Sequence, residues 1–256
     1  MTSSYLDISS SVARRIKLIM TDVDGTLTID GEHFEPIVAE TVGHLQQEGI
    51  IVGLVSGRTL PRLERIASLL STDGPLIAEN GGVARLAKGR LVDLGYSRQP
   101  ALKALAKLKA TFPGAIQELW DNNDRLVDVT IAADGVAVNQ LRKHAPGIQL
   151  LDSGYMIHLI PEGISKGGTL KRILPMVLQT KDGTASPDEV MVFGDSATDV
   201  SLFEAFNNSV LVFNPRLPSE QREVIAEAAS YFVQVPCEQG FVKVARHVMS
   251  KRNGPF

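Results

Sequence analysis

Short runs of Ile, Val and Leu alternate along much of this chain with segments whose apolar residues recur at helical spacing, and few architectures can bury such a pattern. A strand that is apolar on both faces must be covered on both, which a parallel sheet between two layers of helices achieves. Residues 16–20 read as the first strand, 36–48 as a helix stopped by Gly49, and 50–55 as a second strand. Residues 60–70 give the next helix and 75–78 a short third strand, followed by the turn-rich Glu79-Asn80-Gly81-Gly82.

The pattern then changes. Residues 83–94 read as a hairpin around Lys88-Gly89, 101–110 as a helix, and 116–120 and 126–132 as strands. Asp134 is a good N-cap for a helix running to 144, and strands follow at 148–152 and 155–160. A helix-strand-strand unit is thus written twice, which predicts an antiparallel sheet with helices on one face. From residue 165 the first pattern resumes: a helix over 166–178, which Pro175 should kink or shorten, then strand 190–193, helix 200–206 and strand 210–213. The expected fold is α/β, a Rossmann-like doubly wound parallel sheet formed by residues 1–82 and 162–256. A small α+β domain, 83–161, is inserted as a candidate cap.

Composition removes several classes of function. A net charge of −3 and the lack of a basic run argue against an extended nucleic-acid surface. The single cysteine, Cys237, cannot form an internal disulfide, and no Cys/His cluster has zinc-site spacing. No run approaches the roughly 18 apolar residues of a membrane span, and the first fifteen residues read as a loose tail without a signal peptide. The expectation is a cytoplasmic protein with neither a nucleic-acid nor a membrane partner; its oligomeric state is left open.

The chemistry is concentrated where strands end. Asp22-Val23-Asp24-Gly25-Thr26 stands at the carboxyl end of the first strand, where open α/β sheets bind their ligands. An Asp-Gly pair alone could be a surface turn. Gly194-Asp195-Ser196-Ala197-Thr198-Asp199 also follows an apolar strand, so Asp195 and Asp199 converge on Asp22 and Asp24 if the two strands are neighbours. Helix capping is the bland alternative for Asp195 and Asp199. Four carboxylates in one crevice repel, and a hard dication such as Mg²⁺ resolves that repulsion. Ser56-Gly57-Arg58-Thr59 closes the second strand and opens a helix, an arrangement that either caps the helix or binds a phosphate. Lys166 begins the helix that returns the chain to the core and could neutralise a nucleophile and a phosphate together.

These four pieces, in this order, resemble the motifs of the haloacid dehalogenase-like superfamily of phosphatases: D-x-D-G-T, S-G-R, a lysine, then G-D-S-x-x-D. The insert between the second and third motifs matches the α/β-capped, Cof-like branch. Ala78-Glu79-Asn80-Gly81-Gly82 and Ser153-Gly154-Tyr155 with His158 look most like archaeal-type phosphoglycolate phosphatases. One departure stands out: the family usually has Asn before the final motif aspartate, where this chain has Thr198. Thr keeps an oxygen but loses the amide donor, which predicts tuning rather than inactivation.

The resemblance implies a phosphomonoester hydrolase of carbohydrate metabolism. Asp22 would attack phosphorus to form an aspartyl-phosphate, with Asp24 as acid and then base. Mg²⁺ would be held by Asp22, the Asp24 carbonyl and Asp195, with Asp199 in support. Ser56, Gly57, Arg58, Lys166 and Asn80 would bind the phosphate or substrate. Glu79, and in the cap Trp120, Arg125 and His158, are candidate substrate contacts. Phosphoglycolate is the expected substrate, with a sugar phosphate or phosphoglycerate derivative as alternatives and a catalytically weak phosphate-binding regulator as a different class. A receiver domain is about half this length, and no G-x-G-x-x-G follows a strand to bind a dinucleotide.

Overall fold

The computed structural model describes residues 2–154, 156–178 and 185–254. Chain order begins with β1 (Ser3–Ser4), α1 (Ser10–Arg15), β2 (Leu18–Thr21), α2 (Pro36–Gln47), β3 (Ile51–Val55), α3 (Leu60–Leu69) and β4 (Leu76–Ala78). The hairpin β5 (Val83–Arg85) and β6 (Leu91–Val92) comes next. After it lie α4 (Gln99–Thr111), β7 (Ile116–Glu118), β8 (Val129–Ala133), α5 (Val138–His144), β9 (Ile148–Asp152) and β10 (Ile157–Pro161). The chain closes with α6 (Lys166–Val177), β11 (Val190–Gly194), α7 (Val200–Ala205), β12 (Asn208–Phe213), α8 (Ser219–Ala226), β13 (Tyr231–Pro236) and α9 (Cys237–Asn253).

The large sheet has the order β1-β13-β12-β11-β2-β3-β4-β5-β6. Pairings from β1 through β4 are parallel, and the β5–β6 hairpin adds an antiparallel edge. Residues alternate between two apolar layers, as the period of a strand requires. Ile19, Val52, Leu54, Met191 and Phe193 pack with α2, α3 and α9, whereas Leu18, Met20, Val55, Val190 and Val192 pack with α6, α7 and α8. From β2 the chain winds outward to β3 and β4, and from β11 it winds the opposite way to β12 and β13. The order therefore reverses between β2 and β11, with Thr21 level with Phe193, and a crevice opens beyond their carboxyl ends.

The small sheet, β7-β8-β10-β9, is wholly antiparallel. Its apolar face, Val129, Ile131, Ile157 and Leu159, packs on α4 and α5. Alternation puts Thr130 and His158, paired directly across β8 and β10, on the opposite face.

Several boundaries move from the sequence reading. The hairpin expected over residues 83–94 as the opening of the insert forms over 83–92, but β5 hydrogen-bonds to β4 and belongs to the large sheet. The first fifteen residues are not a loose tail: β1 pairs with β13, Ile8 and Ala13 are fully buried, and Arg252 donates to the carbonyls of Ala13 and Ile16. The helix expected from Asp134 starts at Val138, because Ala137 is the residue holding the extended N-cap conformation. Helix α6 does run through Pro175 and ends just past it, at Val177. Tyr155 lies outside the described residues. Among the described residues no helix is long and apolar enough to cross a membrane.

Candidate active site

The loop after β2 and the loop after β11 meet at the reversal point. Asp22 donates its backbone N–H to the Phe193 carbonyl at 3.0 Å, and carboxylate oxygens of Asp22, Asp195 and Asp199 lie within 4.8 Å of one another. Gly25 makes the approach possible. Its φ of +85° is left-handed, and a Cβ there would stand 2.4 Å from Asp195 Oδ2.

Each carboxylate is oriented by a different partner. Asp22 Oδ1 accepts from Lys166 Nζ at 2.8 Å. Asp195 accepts from Thr26 Oγ1 at 3.0 Å and from Asn214 Nδ2 at 2.6 Å. Asp199 Oδ1 accepts from Lys166 at 2.7 Å, while its Oδ2 accepts from the N–H groups of Asp195 and Ser196. Asp199 is thus both the capping residue of its loop and a partner of the buried lysine. Thr26 and Asn214 were not singled out in the sequence; the one local signal is that Asn214 follows β12 directly, at the same end of the sheet.

Lys166 is buried at the first turn of α6, where Ser165 caps the helix by accepting from the Gly168 N–H at 3.1 Å. Its ammonium donates to Asp22, Asp199 and, at 3.2 Å, to Thr198 Oγ1. Thr198 therefore supplies an oxygen to the lysine at the position where the motif departs from its usual form.

One ammonium does not balance this cluster. Burial pushes the Asp22 carboxyl well above its ordinary range, opposed by Lys166 and reinforced by Asp199, Asp195 and Asp24. Burial and then Asp199 push Asp195 up to about 7. Lys166 is held above its ordinary value by Asp199 and Asp22 despite its burial. A pocket of hard oxygens with an excess of negative charge and few neutralising donors suits a divalent cation. Asp199 is the most committed of the three, since its Oδ1 accepts from the Lys166 ammonium and its Oδ2 from two backbone N–H groups.

The second loop is built differently from expectation. Thr59, not Ser56, is the N-cap of α3. The buried Ser56 Oγ accepts from the Arg58 N–H at 3.2 Å, leaving its own proton free for a ligand. Arg58, expected at the phosphate, turns instead to Asp24. Its Nε and Nη2 donate to the two Asp24 oxygens at 2.8 and 2.6 Å, and Nη2 also donates to the Gly31 carbonyl. Asp24 accordingly sits outside the three-carboxylate cluster on the side-chain level, with its carboxylate 45% exposed.

The small sheet seats on the turn after β4. Glu79 and Asn80 both hold left-handed backbone, φ 51° and 55°, and the Asn80 N–H donates to the Ser56 carbonyl. The Glu79 carboxylate accepts from the N–H groups of Leu126, Val127 and Asp128 at 2.8, 2.8 and 3.0 Å. Glu79 is thus a clamp rather than a substrate contact, and burial with Asp128 nearby pushes its carboxyl up. Glu79→Ala strands three N–H donors and is expected to cost about 3 kcal/mol or more in urea denaturation. A loss below about 1 kcal/mol would show that solvent replaces the clamp.

The three candidate contacts in the small domain are placed differently. Trp120 is 69% exposed and lies under the Arg62 guanidinium, 4.7 Å from its ring centre. Arg125 is buried, with donors committed to Asp121, Asp128 and the Gly57 carbonyl. His158 Nδ1 is hydrogen-bonded to Asp128 Oδ2 at 2.9 Å, and its ring lies over Gly57.

Known proteins resemble this chain in sequence and fold. A phosphoglycolate phosphatase of Methanospirillum hungatei is 31% identical over 241 residues, covering 91% of this chain and 98% of the relative. Another, from Methanoculleus marisnigri, is 32% identical over 204 residues, covering 78% and 85%. The crystal structure of Thermoplasma acidophilum 0175 superposes with a TM-score of 0.77 at 22% identity, covering 91% of this chain and 98% of that one. The sucrose-phosphatase of Synechocystis, solved with sucrose and phosphate, gives 0.68 at 16% identity, covering 92% and 98%. The sequence profile of the haloacid dehalogenase-like hydrolases matches residues 19–127 and 106–244, so this chain belongs to that family.

Proposed function

We propose that this chain is a Mg²⁺-dependent phosphatase of small phosphomonoesters, phosphoglycolate foremost, working through a phosphorylated Asp22. One observation carries the reading. Asp22 is buried beside Asp195 with Oδ1 held by Lys166, which leaves Oδ2 as the nucleophile.

Asp22 Oδ2 attacks phosphorus in line as the bond to the ester oxygen breaks, and protonated Asp24 gives that oxygen its proton. Water then attacks the phosphoaspartate, passing a proton back to Asp24, and Asp22 leaves as a carboxylate with release of inorganic phosphate. Both Asp24 oxygens now accept from Arg58, so this work requires Asp24 to let go of the guanidinium. Lys166, the Ser56 hydroxyl and the Gly57 backbone hold the transferring oxygens, positioning that supplies most of the catalysis in phosphoryl transfer. Asp22, Asp195 and the Asp24 carbonyl, with Asp199 behind them, would hold Mg²⁺, which would supply the positive charge that lets one anion approach another.

The small antiparallel sheet acts as the cap. Its helix-free face carries His158 and Thr130, and Arg125 reaches the Gly57 carbonyl from the same unit, so it is placed to exclude water and read the organic half of the substrate. The relatives' names support phosphoglycolate. Phosphate release from p-nitrophenyl phosphate and a panel of small phosphomonoesters, each with and without Mg²⁺, tests the reading. Turnover is expected only with the metal, with phosphoglycolate ahead of hexose phosphates in kcat/KM. The reverse order overturns the substrate, and no release from any ester overturns the phosphatase.

A further inference from the structure

We propose that His158 and Asn80 form a second subsite, beside the one for the transferring phosphate, that receives the carboxylate of a short phosphorylated acid. Asp128 acts as its positioning residue. This rests on the phosphatase reading above and deepens it by saying which groups select the acid.

Both side chains abut one point. A Cβ built on Gly57 would lie 3.1 Å from Asn80 Nδ2 and 3.2 Å from His158 Cε1. Asn80 comes from the core and His158 from the cap, so the two side chains come together only where the two units meet over the Ser56-Gly57 loop.

Both side chains are buried, and the Asn80 amide keeps donor capacity that no protein group uses. Asn80 is 3% exposed and its Nδ2 has no hydrogen-bond partner. An orphaned buried amide is costly, and a ligand oxygen removes that cost. His158 is 4% exposed, and its bond to Asp128 Oδ2 fixes a proton on Nδ1. Among the described residues its Nε2 has no hydrogen-bond partner.

Arg125 is neutralised by Asp121 and Asp128 and does not compete for the role. An orphaned amide donor complements an acceptor group, and a carboxylate is the acceptor with the most to gain. Proximity to Ser56 sets the length: the group read must lie very few bonds from the phosphate, which excludes long or branched substrates.

The test compares phosphoglycolate with ethyl phosphate, which has the same length and phosphate but a methyl group in place of the carboxylate. The ratio of their kcat/KM values, measured on one preparation, is independent of how much protein is folded. The wild type is expected to favour phosphoglycolate by about tenfold or more, as one charge-assisted hydrogen bond implies. His158→Gln removes the ring that lines the subsite and is expected to lower the ratio about tenfold, mainly through KM. Asn80→Asp keeps shape and tolerance of left-handed backbone but opposes the carboxylate with like charge, and is expected to lower it at least as far. Asp128→Asn, which releases the ring from its anchor, should lower the ratio as well. A wild-type ratio near one overturns the phosphoglycolate reading and the subsite together. A high wild-type ratio that survives both His158→Gln and Asn80→Asp overturns the subsite alone.

Discussion

Asp22→Asn is expected to reduce phosphate release by at least about 10⁴-fold, since an amide cannot form the phosphorylated intermediate. Acid quenching with labelled substrate should trap phosphate on the wild-type protein and none on the variant. The same substitution is expected to stabilise the metal-free fold at alkaline pH. Burial and three neighbouring carboxylates hold the Asp22 carboxyl above its ordinary value, and Asp195 is pushed up to about 7. A carboxyl raised in the folded state keeps a proton that the unfolded chain releases. Metal-free stability therefore falls as pH rises from about 4 through about 7. Removing one member of the cluster should flatten that fall, so the metal-free variant should melt at or above the wild-type temperature at pH 8. A variant that melts well below it would mean that Asp22 is a structural anchor, and the charge argument would be lost.

Lys166→Met should act in the opposite sense on stability. The ammonium is the cation shared by Asp22 and Asp199, and deleting one partner of a buried ion pair typically costs about 3–5 kcal/mol. Turnover should drop by about 10²–10³-fold even with saturating Mg²⁺, because the developing charge on the transferring oxygens loses a fixed donor. Mg²⁺ should restore part of the lost stability, since a dication at Asp22 and Asp195 relieves the same repulsion. Chemical denaturation with and without Mg²⁺ reads this directly. A variant as stable as the wild type without metal would show that the carboxylates are not ionised together.

What the sequence made legible is what neighbouring residues determine. The apolar runs ending in Asp22, Ser56 and Asp195 announce strands and the ends at which ligands bind, and the adjacency of β2 and β11 brings Asp22 to Asp195 as expected. Contacts between residues far apart in the chain were not legible. Asn214 stands after a strand at the right end of the sheet, but nothing near it says that its partner will be Asp195, or near Thr26 that it will meet the same carboxylate. Arg58 lies next to the phosphate loop in sequence, yet a long side chain is free to choose its partner, and it chooses Asp24. The docked first residues escaped notice because β1 is two residues long and has no pattern of its own. Its order comes entirely from β13. Glu79 carries no signal for a clamp either, since its three partners are backbone N–H groups nearly fifty positions away.

The turn after β4 has one more implication. Its Gly81, at φ +109°, lies so close to Ser165 that a Cβ would stand 2.4 Å from that carbonyl oxygen, and Thr169 donates to the Gly81 carbonyl at 2.7 Å. Glu79 bears the small sheet, Asn80 the phosphate loop, and Gly81 the first turn of the helix that carries Lys166. Three consecutive positions thus seat three separate parts of the molecule. A side chain at Gly81 would have to push the Ser165 carbonyl aside, so a substitution there, remote from any reacting atom, would displace the helix that carries the lysine.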